Sequence, residues 1–165
     1  MDRETLRATQ TPLKDQYRSD PGAALITLAA EGELGADQSC SVQTGRALVE
    51  AGLHTATGGD GSLACSGDML LQALVACAGV TMMAVATSLG LDVTGSVHAD
   101  GDLDFRGTLG VDSDAPVGFR DIRLRFLLDT SATEAEVTKL LELTERYCVV
   151  FQTLSSPPTL EVALA

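Results

Sequence analysis

Cysteine and histidine carry the reactive potential of this 165-residue chain, at Cys40, Cys65, Cys77, Cys148, His54 and His98. No two cysteines have C-x-x-C spacing, and His54 and His98 lie in separate segments with no second ligand beside either, which argues against a zinc site. Both histidines read first as surface or satisfied strand residues. Four cysteines would suit a disulfide framework in a small secreted chain, but a reducing compartment keeps structural disulfides rare, leaving thiol chemistry or plain burial. A thiolate is the nucleophile in such chemistry, and burial on an apolar helix works against it by raising the thiol pKa. A reactive Cys77 therefore needs a nearby cation or hydrogen-bond donors.

Two helices must position Cys77 and Cys148. The run "SGDMLLQALVACAGVTMMAVATSLGL" starts with Ser66 as a cap and Asp68 at the positive end of the helix dipole, and Gly90 stops it. From Met69 to Ala86 it is apolar on nearly every face, which marks either a membrane span or the centre of a core. Gln72, Thr81, the many Ala and Gly positions, and the lack of a basic flank or aromatic belt favour burial in protein. One small domain has difficulty covering such a helix, so a homodimer is expected, with Ala73, Ala76, Ala78 and Gly79 permitting close approach. The second helix follows an S-x-x-E capping box, Ser131 with Glu134. Val137, Leu140, Leu141, Thr144, Tyr147 and Cys148 recur on one face, pointing Cys148 inward.

The remaining segments read as strands around these helices. Residues 4–19 form a polar arm or irregular helix interrupted by Pro12. "AALITLAA", "SCSVQTG" and "LHTATGG" read as an antiparallel meander, with Cys40 on a strand and Cys65 at a strand-to-helix junction. "DVTGSVHADGDLDFRGTLGV" reads as a hairpin turning at Asp100-Gly101. In "DIRLRFLLD", Ile122, Leu124, Phe126 and Leu128 alternate with polar residues as in a half-buried strand, and "TLEVAL" reads as a last strand. The expected architecture is α+β in a single domain, 1–165, with residues 1–20 as an N-terminal arm.

Composition narrows the function classes. A formal charge of −12, a pI near 4.3 and no Lys/Arg cluster argue against nucleic acid and against anionic membranes. The start "MDRETLRATQ" has no apolar run after its basic residues, so a cytoplasmic protein is expected. No metal or organic cofactor is expected.

The order of strands, apolar helix with cysteine, strands, helix ending in cysteine, and strand resembles the osmotically induced protein C and organic hydroperoxide resistance (OsmC/Ohr) superfamily. "GDMLLQALVACAGVTM" is similar to its central-helix pattern, and "ERYCVVFQTL" to its C-P-x-S-x-x-L region, with Val149 in place of the proline. The resemblance implies an OsmC-like fold: antiparallel sheets and two principal helices, the central one buried, in an intertwined homodimer. It implies a peroxidatic role for Cys77 and a resolving role for Cys148. The family's arginine, aimed by a glutamate ten residues before the cysteine, corresponds here to Arg46, ahead of Arg18; the glutamate position holds Gly67, with Asp68 as the substitute. The implied activity is reduction of organic hydroperoxides through a Cys77 sulfenic acid and a Cys77–Cys148 disulfide, restored by a dithiol or lipoyl-type reductant. Met69, Leu70, Met82 and Met83 would favour apolar peroxides, though a Met-rich helix face more commonly just fills a core. Two readings stand: a thiol-dependent peroxidase, and a non-catalytic dimer that binds a small apolar molecule between the helices, with Cys77 as a small buried hydrophobe. Cys40 and Cys65 have no counterpart in the family.

Overall fold

A computed structural model describes residues 2–19, 32–34, 40–43, 48–110 and 112–164. The elements are α1 (Arg3–Ser19), β1 (Gly32–Leu34), β2 (Cys40–Gln43), β3 (Leu48–Gly52), β4 (Ala64–Cys65), α2 (Ser66–Leu89), β5 (Val93–Asp102), α3 (Phe105–Thr108), β6 (Asp121–Thr130), α4 (Glu134–Tyr147) and α5 (Val149–Ser155). They form two compact units, one of Met1–Asp15, Ala73–His98 and Leu124–Ala165, the other of Gln16–Gln72 and Ala99–Arg123.

In the first unit, helical spacing on α2 and α4 produces two buried stripes. Leu74, Ala78, Met82 and Ala86 recur every fourth residue on α2, and Leu140, Thr144 and Cys148 do the same along α4 and its cap. Met82, Ala86, Val93 and Leu140 make one cluster, against which Phe126, Leu128 and Leu141 pack. The Thr144 hydroxyl, though buried, donates to the Leu140 carbonyl at 2.7 Å and is satisfied. Gly90, with φ of +73°, ends α2 as a left-handed cap that a residue with a side chain would strain.

Burial of α2 is confined to that stripe. Val80 is 73% and Met83 52% exposed, so the helix is less covered than its all-round apolar sequence anticipates. It is also long and apolar enough to cross a membrane, by length and composition alone. On α4, Tyr147 is exposed rather than on the buried face.

In the second unit, β1, β2 and β3 form the antiparallel meander expected for this part of the chain, and β4 joins β3 in parallel. Cys40 lies on β2 opposite Ala51, as its predicted strand position requires. "AALITLAA" lies outside the described residues. The third strand is not in "LHTATGG" but just before it, at β3. Residues 55–57 instead make a 3-10 turn, because His54 Nδ1 accepts from the Ala56 amide at 3.0 Å and Gly58 closes it in the left-handed region.

β5 and β6 form a two-stranded sheet. Thr94 Oγ1 donates to the Asp129 carbonyl, while the Arg120 amide donates to the Asp102 carbonyl at 2.8 Å, so the strands run in opposite directions. The alternation in β6 is as expected, with Ile122, Leu124, Phe126 and Leu128 half-buried. Asp100-Gly101, however, lies inside β5 and makes no turn. Glycine is there for close approach: a Cβ on Gly101 would stand 2.5 Å from the Phe119 ring. The arm before the sheet is a regular 17-residue helix, α1, with Pro12 inside it. Residues 159–164, expected as a last strand, are in no strand among the described residues; Leu160, Val162 and Leu164 are fully or almost fully exposed.

The capping box of α4 also differs from expectation by two residues. Thr133, not Ser131, is the N-cap: its hydroxyl accepts from the Glu136 amide, and Glu136 accepts from the Thr133 amide at 2.8 Å. Thr133→Ala is expected to destabilise the protein by about 1 kcal/mol, while Ser131→Ala should stay within about 0.5 kcal/mol of the parent. Urea denaturation of the two variants checks the assignment, and equal losses would contradict it.

Candidate active site

Cys77 sits on α2, half-buried, beside the stripe that packs the first unit. The junction of α4 and α5 comes to meet it. Cys148 ends α4 with its amide bonded to the Thr144 carbonyl at 2.9 Å, then takes an extended conformation (φ −74°, ψ 108°) and serves as the N-cap of α5. Such a break frees the first amides of α5, which have no carbonyl four residues back within their own helix. The Val150 and Val149 amides at this start are among the groups that lower the Cys77 pKa. Gln152 ties the new helix to the old one, its Nε2 donating to the Glu145 carbonyl at 2.9 Å.

The resulting electrostatics separate the two thiols. Burial pushes the Cys77 pKa up, but the Val150 amide, the Cys148 thiol, the Val149 amide and the Thr81 hydroxyl together outweigh it and hold Cys77 below its ordinary value. Thr81 lies one helical turn after Cys77, which puts its hydroxyl on the same face. Cys148 is displaced the other way: burial raises it first, and the hydrogen bond and charge of Cys77 add to that, against the opposing Phe151 and Val150 amides. Cys148 is 1% exposed. Of the two, Cys77 is thus the easier to ionise and Cys148 the harder, and both are free, unlinked cysteines.

Among the described residues, the groups that stabilise the Cys77 thiolate are neutral donors rather than a guanidinium. Sequence reasoning missed Thr81, Val149 and Val150 because amides leave no side-chain signature; the one readable hint was a hydroxyl four residues after Cys77. Arg46 lies outside the described residues, and Arg18 is on α1. Asp68 is exposed in the first turn of α2, nine residues or two and a half turns before Cys77. Its charge suits the amino end of that helix. Met82 is in the core, and Met83 is 52% exposed. His98 pairs with Ser96 at 2.8 Å, and His54 caps the 3-10 turn, so both histidines have local structural roles. No group of three or more His, Cys, Asp or Glu residues that could hold a metal occurs among the described residues.

Residues 59–163, which contain both thiols and the helices that carry them, match the sequence profile of the family described as OsmC-like protein. The chain belongs to the OsmC-like family. Among curated proteins, none matches it by sequence. Its fold is similar to that of an OsmC-like protein from Mycoplasma pneumoniae, at 16% identity over 80% of this chain and 89% of the other, with a TM-score of 0.66. It is also similar to an organic hydroperoxide resistance protein from Elizabethkingia anophelis, at 15% identity over 81% and 91% of the two chains (TM-score 0.60). A third likeness is to the organic hydroperoxide resistance protein OsmC from Legionella pneumophila, at 17% identity over 80% and 91% (TM-score 0.57). At these identities the likeness establishes a shared OsmC-like fold with mixed helices and small sheets.

The donors around Cys77 generate a direct expectation. Its alkylation by iodoacetamide should reach half its plateau rate at a pH below that of an ordinary thiol, about 8.5, and Cys148 should react only above it. Thr81→Val keeps the shape but removes a donor, so it should shift the Cys77 profile to higher pH and leave the fold intact. An unshifted profile would show that Thr81 does not reach the sulfur.

Proposed function

We propose that this OsmC-like protein is a thiol peroxidase that reduces organic hydroperoxides. The observation that carries the reading is the opposite displacement of the two thiols: the Val150 amide, Cys148, the Val149 amide and Thr81 lower the Cys77 pKa against burial, while burial and Cys77 raise that of Cys148. Two structural relatives described as organic hydroperoxide resistance proteins support the substrate class.

The Cys77 thiolate attacks the terminal oxygen of the hydroperoxide, the O–O bond breaks, and the alkoxide takes a proton to leave as an alcohol. The Cys77 sulfenic acid then condenses with Cys148, losing water and forming a disulfide. A dithiol or lipoyl-type reductant returns two electrons and two protons, restoring both thiols. Arg46 would add a cation to the thiolate in the assembled site and Asp68 would aim it, standing in for the glutamate replaced by Gly67. The protein works in the cytoplasm as a soluble homodimer. The exposed Val80 and Met83 on α2 and the alternating exposed Leu160, Val162 and Leu164 are the apolar surface that a second copy would cover.

One equivalent of an organic hydroperoxide is expected to convert Cys77 and Cys148 into an intramolecular disulfide, with Cys40 and Cys65 left as thiols. Peptide mapping by mass spectrometry reads this directly, and two unreacted thiols at Cys77 and Cys148 would sink the proposal. Cys148→Ser should leave a Cys77 sulfenic acid that dimedone traps, and Cys77→Ser should consume no peroxide. Light scattering at micromolar concentration should give twice the 17.1 kDa chain mass; a stable monomer removes the dimer.

A further inference from the structure

The unit formed by Gln16–Gln72 and Ala99–Arg123 contains a cavity of about 420 Å³, lined by neither Cys77 nor Cys148. Small-molecule sites typically occupy about 300–1,000 Å³. Among the described residues fourteen line it, and none of them is Asp, Glu, Lys or Arg, in a chain whose formal charge is −12. An ionic ligand would surrender its hydration here without meeting a counter-charge, so the lining selects for a neutral one.

Aromatic rings are concentrated in the lining. The chain has four phenylalanines, and two of them, Phe105 and Phe119, face this cavity together with His54. The His54 imidazole lies flat on the Phe105 ring, with centroids 4.9 Å apart and planes within 14°. Because His54 Nδ1 accepts from the Ala56 amide, the neutral ring carries its proton on Nε2 and offers a single N–H donor there.

Each wall is fixed from behind. Asp104 caps α3 by accepting from the Arg106 amide at 3.1 Å, and its carboxylate also takes Arg106 Nε at 3.0 Å, which holds Phe105 at the start of that short helix. Phe119 is seated on the bare backbone of Gly101. At the start of α2, Gly67 leaves space that a side chain would take: a Cβ there would stand 3.5 Å from both the Phe119 ring and Cys65 Sγ, and 3.6 Å from Leu103. Those are ordinary contact distances, so alanine fits at Gly67 and occupies room a ligand would otherwise use.

We propose that this cavity is a binding site for a small, neutral, flat aromatic molecule, stacked in offset against the His54, Phe105 and Phe119 rings beside the Cys65 thiol. Offset stacking sets ring centroids about 4.5–7 Å apart, and the space that a side chain at Gly67 would take is left for the ligand. The site does not depend on the peroxidase reading, since no group of the Cys77 pair contributes to it.

The test is a titration of the full-length, nitrogen-15-labelled protein with 2-naphthol, followed by amide NMR. Saturable shifts are expected at Gly52, Gly67 and Gly118, three lining glycines whose amides resolve well. Saturating 2-naphthol should slow iodoacetamide alkylation of Cys65 and leave the rate at Cys77 unchanged. The charged analogue 2-naphthalenesulfonate and the Gly67→Ala variant should each weaken binding about tenfold, the scale of one misplaced group in an apolar pocket. If Gly67→Ala perturbs the fold, as judged by circular dichroism, Phe119→Leu serves in its place. Shifts that miss the three glycines, equal binding of the sulfonate, or full affinity in the cavity variant would each overturn the proposal.

Discussion

The opposite displacement of the Cys77 and Cys148 thiols hangs on the break in the chain at Cys148. An uninterrupted helix from Glu134 to Ser155 would spend the Val149 and Val150 amides on the carbonyls behind them. By taking an extended conformation, Cys148 frees those two amides, which lower the Cys77 pKa, as the Cys148 side chain also does. One backbone excursion thus supplies the amides that lower the Cys77 pKa and the second thiol of the pair. The remaining structure serves that geometry: Leu74, Ala78, Met82 and Ala86 on α2, and Leu140 and Thr144 on α4, pack the helices that bring the excursion and Cys77 into register, and Gln152 pins α5 in place.

Activation by amides has a different character from activation by a cation. Backbone donors are fixed by secondary structure, need no partner to aim them, and lose little entropy when they engage a charge. They can also be combined, as a hydroxyl at Thr81 joins two amides here. This explains how a chain with Gly67 where the superfamily's pattern has glutamate can still hold a polarised cysteine pair among its described residues. It also frees the start of α2 from carrying a large acidic side chain, and the vacated volume adjoins an uncharged, aromatic-lined cavity.

Much of the fold was legible because its signals are dense. The apolar run of α2, its stop at Gly90, and the two-residue alternation of β6 are each repeated over many positions, so tertiary context has little scope to override them. Where two local signals competed, the sequence was ambiguous. Ser131 with Glu134 and Thr133 with Glu136 are equally good capping boxes, and the structure uses the second. Asp100-Gly101 has turn chemistry, but glycine also serves close approach, and the ring of Phe119 decides the matter from 18 residues away. The sequence singled out Cys77 and Cys148, and the fold brings their sulfurs together. The amides that stabilise Cys77 were invisible for a simple reason: every residue but proline can supply one, so only the conformation at Cys148 distinguishes Val149 and Val150 from their neighbours.

The mutual perturbation of the two thiols also imposes an order in time. Part of what keeps Cys148 protonated is the hydrogen bond and negative charge of Cys77. Any event that discharges Cys77, whether oxidation or alkylation, removes that part of the perturbation, and only the effect of burial remains against the amides of Val150 and Phe151. Cys148 then becomes easier to ionise at the moment its neighbour has reacted. In the proposed reaction the pair would work as an interlock, with the second sulfur kept quiet until the first has been spent.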